Sequence, residues 1–151
     1  MQHFLFIFFL FLTSLLFALI EIQIEGPHGW ATGLPTWRFE SRLSRALLGN
    51  RIITGYHVFT HLFILSMLHV PYALGTIHFS LAIELRILAF ALLFWVAEDF
   101  LWFLCNPAYG IRGFTPERAW WHAPNWWWIM PRDYWLFVPL GCALYALSFV
   151  L

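Results

Sequence analysis

Four apolar runs divide the chain, and the polar residues fall between them or at their ends. Met1 to Ile20 is Phe, Leu and Ile almost without break and contains no Asp, Glu, Lys or Arg. Ile52 to Ile83 is equally free of charge, with Pro71 and Gly75 marking a turn inside it. A third run leads from Ser80 to Cys105, where Asn106-Pro107 stops it, because proline disfavours helix at the residue before it. The fourth covers Tyr134 to Leu151. A helix needs about 20 apolar residues to cross the hydrocarbon core. The pattern therefore predicts spans at about 3–22, 52–70, 80–105 and 134–151. The fold class expected is an all-α integral membrane protein, a four-transmembrane-helix bundle forming a single membrane domain over 1–151.

The two long connections carry structure of their own. Gly26-Pro27 breaks the first helix after Glu21 and Glu25. Glu40 to Leu48 reads as a short amphipathic helix, with Leu43, Ala46 and Leu47 opposite Arg42 and Arg45 and Gly49-Asn50 as its stop. Thr115-Pro116-Glu117 is a helix start, a capping oxygen followed by proline, with Pro124 limiting the helix to about His122. Both short helices are expected at the interface.

Composition agrees with the membrane reading: 62% of the 151 residues are hydrophobic and 11% charged. A soluble domain carries about 25% charged residues. A cleaved signal peptide is disfavoured at the first run, since Gln2 and His3 are not cationic and Leu16 to Ile20 is too bulky for a cleavage site. Six of the ten tryptophans lie between Trp120 and Trp135, the density of an aromatic belt.

All eight cations are arginines, and seven of them (38, 42, 45, 51, 112, 118 and 132) lie in or beside the first and third connections. The positive-inside rule makes that side cytoplasmic, most naturally at a bacterial inner membrane, with both termini extracytoplasmic. A formal net charge of zero offers no basic surface for nucleic acid. Cys105 and Cys142 stand alone, which excludes a Cys-x-x-Cys redox pair.

Charge inside the third span is the anomaly. Glu98 and Asp99 sit in an otherwise apolar helix, and a charge at membrane depth is costly unless paired. Counted from the same boundary, His57 and His61 lie at matching depth in the second span, roughly 8–14 Å in. His-x-x-x-His puts two imidazoles on one helix face, in one stripe with Thr54. With a carboxylate from the next helix this makes a two-histidine, one-carboxylate set suited to iron, zinc or manganese. His57, His61, Glu98 and Asp99 are thus the candidate metal ligands. The same four, with His122 from the loop, are equally candidates for acid–base work. Interhelical hydrogen bonds that merely hold the bundle together are the third reading. Helix geometry points Glu98 and Asp99 about 100° apart, so they need different partners.

Trp95 and Trp102 would wall such a site. Arg118, Asn125 and Arg132 offer polar contacts for a lipid headgroup under a lid of tryptophans. No spacing demands a haem, no Gly-x-Ser-x-Gly context supports a serine hydrolase, and the several boxes of histidine-box oxygenases are missing. Two functions remain. One is a small membrane protein acting on or binding a lipid-soluble substrate at a polar, metal-capable site. The other is a non-catalytic subunit or assembly factor of a larger membrane complex. A homo-oligomer or a larger complex fits both.

Overall fold

A computed structural model describes residues 1–49 and 51–151; Asn50 and the side chain of Leu47, parts of the expected amphipathic helix and its stop, lie outside the described residues. The chain is mostly helical. Four longer helices, α1 (Gln2–Glu25), α3 (Gly55–Ala73), α4 (Leu81–Cys105) and α5 (Arg132–Leu147), are joined by two long loops that meet at one end, with α2 (Arg42–Leu48) within the first, and by a short connection over 74–80 at the other. Two of them, α1 and α4, are long and apolar enough to cross a membrane. At 1.5 Å per residue they measure about 36 and 37 Å. Three histidines, two tyrosines and Pro71 dilute α3, and α5 has only 16 residues.

Helix α4 is the spine: α1 and α5 pack along it, and α3 touches it much more lightly. Its start is set by Ser80, whose hydroxyl accepts the Ile83 N–H at 3.2 Å. At its end Asn106 leaves the helix, and its buried amide donates to Gly26 O at 2.9 Å and accepts the Ala108 N–H at 3.0 Å. That bridge ties the ends of α1 and α4 together and brings Glu21 and Glu25 level with Glu98. On the other flank Gly141 of α5 meets α4 so closely that a Cβ would fall 2.7 Å from Leu93 Cγ, opposite the fully buried Ala89. Small residues at a helix crossing let backbones approach. Gly141→Leu is expected to separate α5 from α4 and to lower the thermal midpoint by several degrees; an unchanged midpoint would contradict this packing.

The loop end holds the main core, formed by Ala18, Ile22, Leu101, Trp102, Phe103, Ala119 and Trp121. Phe103 and Trp121 stack with centroids 5.5 Å apart. The tryptophan loop is accordingly divided in role. Trp121 is core, whereas Trp120, Trp127, Trp128 and Trp135 are exposed.

Several expected boundaries move. The second helix begins at Gly55 rather than Ile52, because β1 (Arg38–Phe39) pairs antiparallel with β2 (Ile53–Thr54) and holds those residues extended. It runs through Pro71 to Ala73, since a proline near the last turn removes only one late N–H bond. No helix forms over Thr115–His122; the segment makes successive turns, with Ala119 N–H bonded to Thr115 O and Ala123 N–H to Ala119 O. Glu117 accepts from Thr115 and from its own backbone N–H, which holds its carboxyl below the usual range. Such local bonding competes with helix. Beyond it β3 (Trp126–Trp127) and β4 (Met130–Pro131) form a hairpin turning at Trp128, whose φ of 55° is left-handed.

Arg86, the one cation away from the loop end, is accounted for locally. Its guanidinium donates to Ser148 Oγ at 3.0 Å and to Ser148 O at 3.2 Å, closing the C-terminus of α5.

Candidate functional site

At the loop end α1, α3, α4 and α5 enclose a cavity of about 170 Å³. Its polar wall holds Glu21, Glu25, Glu98, Asp99 and Asp133 against one guanidinium, Arg51. Arg51 is already committed: it is bonded to Asp133 of α5 and lies over the Trp30 ring, 5.4 Å from its centroid. The cavity is therefore rich in acceptors.

One cluster is built on α1 and α3. Glu21 and Glu25 lie four residues apart, on one face of α1. Tyr56 O–H donates to Glu21 Oε1 at 2.9 Å, and Ala31 N–H donates to Glu25 Oε1. The second bond requires the chain to reverse after Gly26, and Trp30 and Ala31 adopt left-handed backbone to achieve it, with φ of 49° and 51°. His57 lies flat against Trp30, centroids 4.1 Å apart. Its Nδ1 meets Thr54 Oγ1 at 2.7 Å, and its Nε2 lies 3.9 Å from Glu25 Oε1. Ligand atoms of Glu21, Glu25 and His57 lie within 4.8 Å of one another.

The other cluster joins α4, the tryptophan loop and α5. His122 Nε2 faces both oxygens of Asp99 at 3.1 Å, and Tyr134 O–H donates to Asp99 Oδ2 at 2.5 Å. An ionised carboxylate only accepts, so the Nε2 carries the proton it donates. The other ring nitrogen, His122 Nδ1, is buried without a partner. A carboxylate fixing one ring nitrogen so that the other can take a proton is how acid–base histidines are oriented.

Between these clusters stands Glu98, 3 % exposed, with Oε1 unpartnered. Trp102 Nε1 is likewise buried and unpartnered. Buried polar groups are nearly always hydrogen-bonded, since an unmade bond costs about 1–3 kcal/mol. Three residues that line the cavity, Glu98, Trp102 and His122, thus each keep one buried polar atom without a partner.

Of the residues singled out in the sequence, His57, His61, Glu98, Asp99, His122, Trp95 and Trp102 all line this cavity. They do not gather as one ligand set. Asp99 belongs to His122 and Tyr134, and His57 to Glu21 and Glu25. His61 donates Nδ1–H to His57 O at 2.7 Å and stacks on Trp95, centroids 3.9 Å apart. Arg118, Asn125 and Arg132 are not on its wall. Arg118 donates to Ala108 O and lies over Tyr109, and Arg132 lies 3.3 Å from Asp133. Glu21, Glu25, Tyr56 and Tyr134 join the site without having been candidates in the sequence, and Thr54 takes its place beside His57 as their common stripe implied. The i, i+4 spacing of Glu21 and Glu25 was a usable signal; nothing local marked Tyr134. Glu84, near the start of α4, pairs with His69 at 3.3 Å at the opposite end of the molecule.

No protein-family model, no curated protein and no solved structure matches this chain.

Proposed function

We propose that this chain is an integral membrane protein crossing the bilayer four times, and that its cavity binds the polar end of a lipid-soluble substrate and moves a proton on it. Support for the membrane placement comes from the surface. Phe4, Ile7, Phe8, Phe9 and Phe11 of α1 and Phe59, Leu62 and Phe63 of α3 are exposed, a continuous apolar exterior that water would penalise. The arginine-rich loop end is then the cytoplasmic side of a bacterial inner membrane, with both termini outside.

The observation that carries the functional reading is that three residues lining the cavity each keep a buried polar atom without a partner (Glu98 Oε1, Trp102 Nε1 and His122 Nδ1). His122, aligned by Asp99 and Tyr134, would act as the base; Glu98 would hold or exchange a proton; Trp102 N–H would anchor an acceptor oxygen. Val96 and Tyr134 line both this cavity and an apolar groove between α4, α5 and the hairpin, giving the hydrocarbon part of a substrate somewhere to lie.

The test uses phosphatidylethanolamine–phosphatidylglycerol vesicles containing the purified chain and a prenyl alcohol bearing a photoreactive diazirine. Labels are expected at Val96, Tyr134 or Phe137 and are expected to fall sharply in Trp102→Phe. Labelling confined to the outer faces of α1 and α3 would overturn the reading. A second reading, a non-catalytic subunit, is favoured by the light contact of α3 with the bundle, which leaves Phe59, Leu62 and Phe63 for a partner helix. Under it, crosslinks from α3 would reach another protein and Trp102→Phe would change nothing.

A further inference from the structure

We propose that Glu21, Glu25 and His57 bind one borderline divalent cation (Zn²⁺, Mn²⁺ or Fe²⁺), with Glu98 available as a fourth ligand. This set differs from the one the sequence suggested, keeping His57 and replacing His61 and Asp99 with the two carboxylates of α1. Four observations converge. The ligand atoms of the three residues lie within 4.8 Å of one another, the span of a coordination sphere before it contracts onto an ion. Glu98, 3 % exposed, lines the same cavity and is hydrogen-bonded to Glu21, which places it beside the trio, while its Oε1 has no partner.

Each of the three is also held from behind. Tyr56 O–H supports Glu21, the Ala31 N–H supports Glu25, and Thr54 Oγ1 meets His57 Nδ1. Metal-bound histidine characteristically donates its other N–H to an oxygen, which directs the free nitrogen at the ion. Thr54 can accept that N–H alongside the His57 backbone N–H, which already reaches it at 3.2 Å, because a hydroxyl has two lone pairs. Finally, the wall gathers five carboxyl side chains, those of Glu21, Glu25, Glu98, Asp99 and Asp133. Among the described residues on the wall, Arg51 is the one fixed cation, and Asp133 holds it. Two carboxylates and one imidazole suit a borderline divalent ion better than soft Cu⁺, which prefers sulfur, or Ca²⁺, which takes six to eight oxygens.

The proposal does not depend on the lipid reading. A chain that binds metal without taking up the prenyl probe, or the reverse, would separate the two. The experiment strips the detergent-solubilised full chain with a chelator, returns Zn²⁺ or Mn²⁺, and measures bound metal by mass spectrometry after dialysis. One equivalent per chain is expected, with Ca²⁺ and Mg²⁺ failing to compete. Glu25→Gln and His57→Ala should each weaken binding by about 100-fold, and Thr54→Val, which removes only the support behind His57, by about 10-fold. The double variant His69→Ala/Glu84→Gln, at the opposite end, should bind as the parent does. Should the ligand variants misfold, the parent protein still answers: Mn²⁺ in the site must show magnetic coupling to the nitrogen of one imidazole. No retained metal at micromolar free Zn²⁺, loss that follows the His69/Glu84 variant instead, or Mn²⁺ without nitrogen coupling would each overturn the assignment.

Discussion

Asp99→Ala is expected to destabilise the protein by about 3 kcal/mol, because it strands two donors at once. His122 Nε2–H and Tyr134 O–H both end on this carboxylate, and both residues are buried. Leaving a buried donor without an acceptor costs about 1–3 kcal/mol each, and removing one partner of a buried charged pair costs about 3–5 kcal/mol. Asp99→Asn retains one acceptor oxygen and should cost about half as much. The effect should also be local. His122 is the point at which the tryptophan loop is pinned to α4, so amide exchange over 115–125 should accelerate before that of α1. The check is unfolding in mixed detergent, followed by tryptophan fluorescence, combined with hydrogen exchange. An alanine variant as stable as the parent would show that the Asp99 network holds nothing.

The second large effect is expected at Asn106. Its amide donates to Gly26 O and its carbonyl accepts from Ala108, and the side chain is 3 % exposed. Asn106→Ala therefore leaves the half-buried Gly26 carbonyl and the exposed Ala108 N–H without their partner, for about 1 kcal/mol. It should do something Asp99→Ala does not: release the end of α1 from α4, so that Glu21 and Glu25 lose their register with Glu98. Metal retention should fall in Asn106→Ala and survive in Asp99→Ala. Asn106→Asp, which keeps the acceptor for Ala108 but loses the donor to Gly26, should resemble alanine in metal retention. Full metal retention in Asn106→Ala would contradict the role given to this bridge.

The two longest helices were plain in the sequence, because a mostly apolar run of more than 20 residues stopped by Gly-Pro or Asn-Pro has few alternatives. So was the shared level along the helices at which His57, His61, Glu98 and Asp99 collect, since rise per residue is constant. Partner choice was not legible. Helix geometry showed that Glu98 and Asp99 diverge, but which neighbour each meets depends on how α1 and α5 rotate about α4. That rotation is set by Gly141 against Leu93 and by Asn106 against Gly26, contacts between residues 48 and 80 positions apart. The loops were harder still. Thr115-Pro116-Glu117 has the composition of a helix start, yet it turns instead, with Ala119 packed into the core beside Trp121. Ile53 and Thr54 read as the start of an apolar helix until Arg38 and Phe39 are seen pairing with them. Glu21 and Glu25 looked like polar residues finishing a span at the headgroups; the reversal at Trp30 and Ala31 folds the loop back over them and buries both.

We propose that this cavity holds a ligand. Native mass spectrometry of the full chain, released from the mildest detergent that keeps it folded, tests that claim most directly. A chain carrying one small lipid-soluble molecule in addition to any metal ion is expected, with the organic adduct lost from Trp102→Phe and from Glu98→Gln while the fold persists. A bare chain from native membranes, or an organic adduct that both substitutions leave in place, would contradict it.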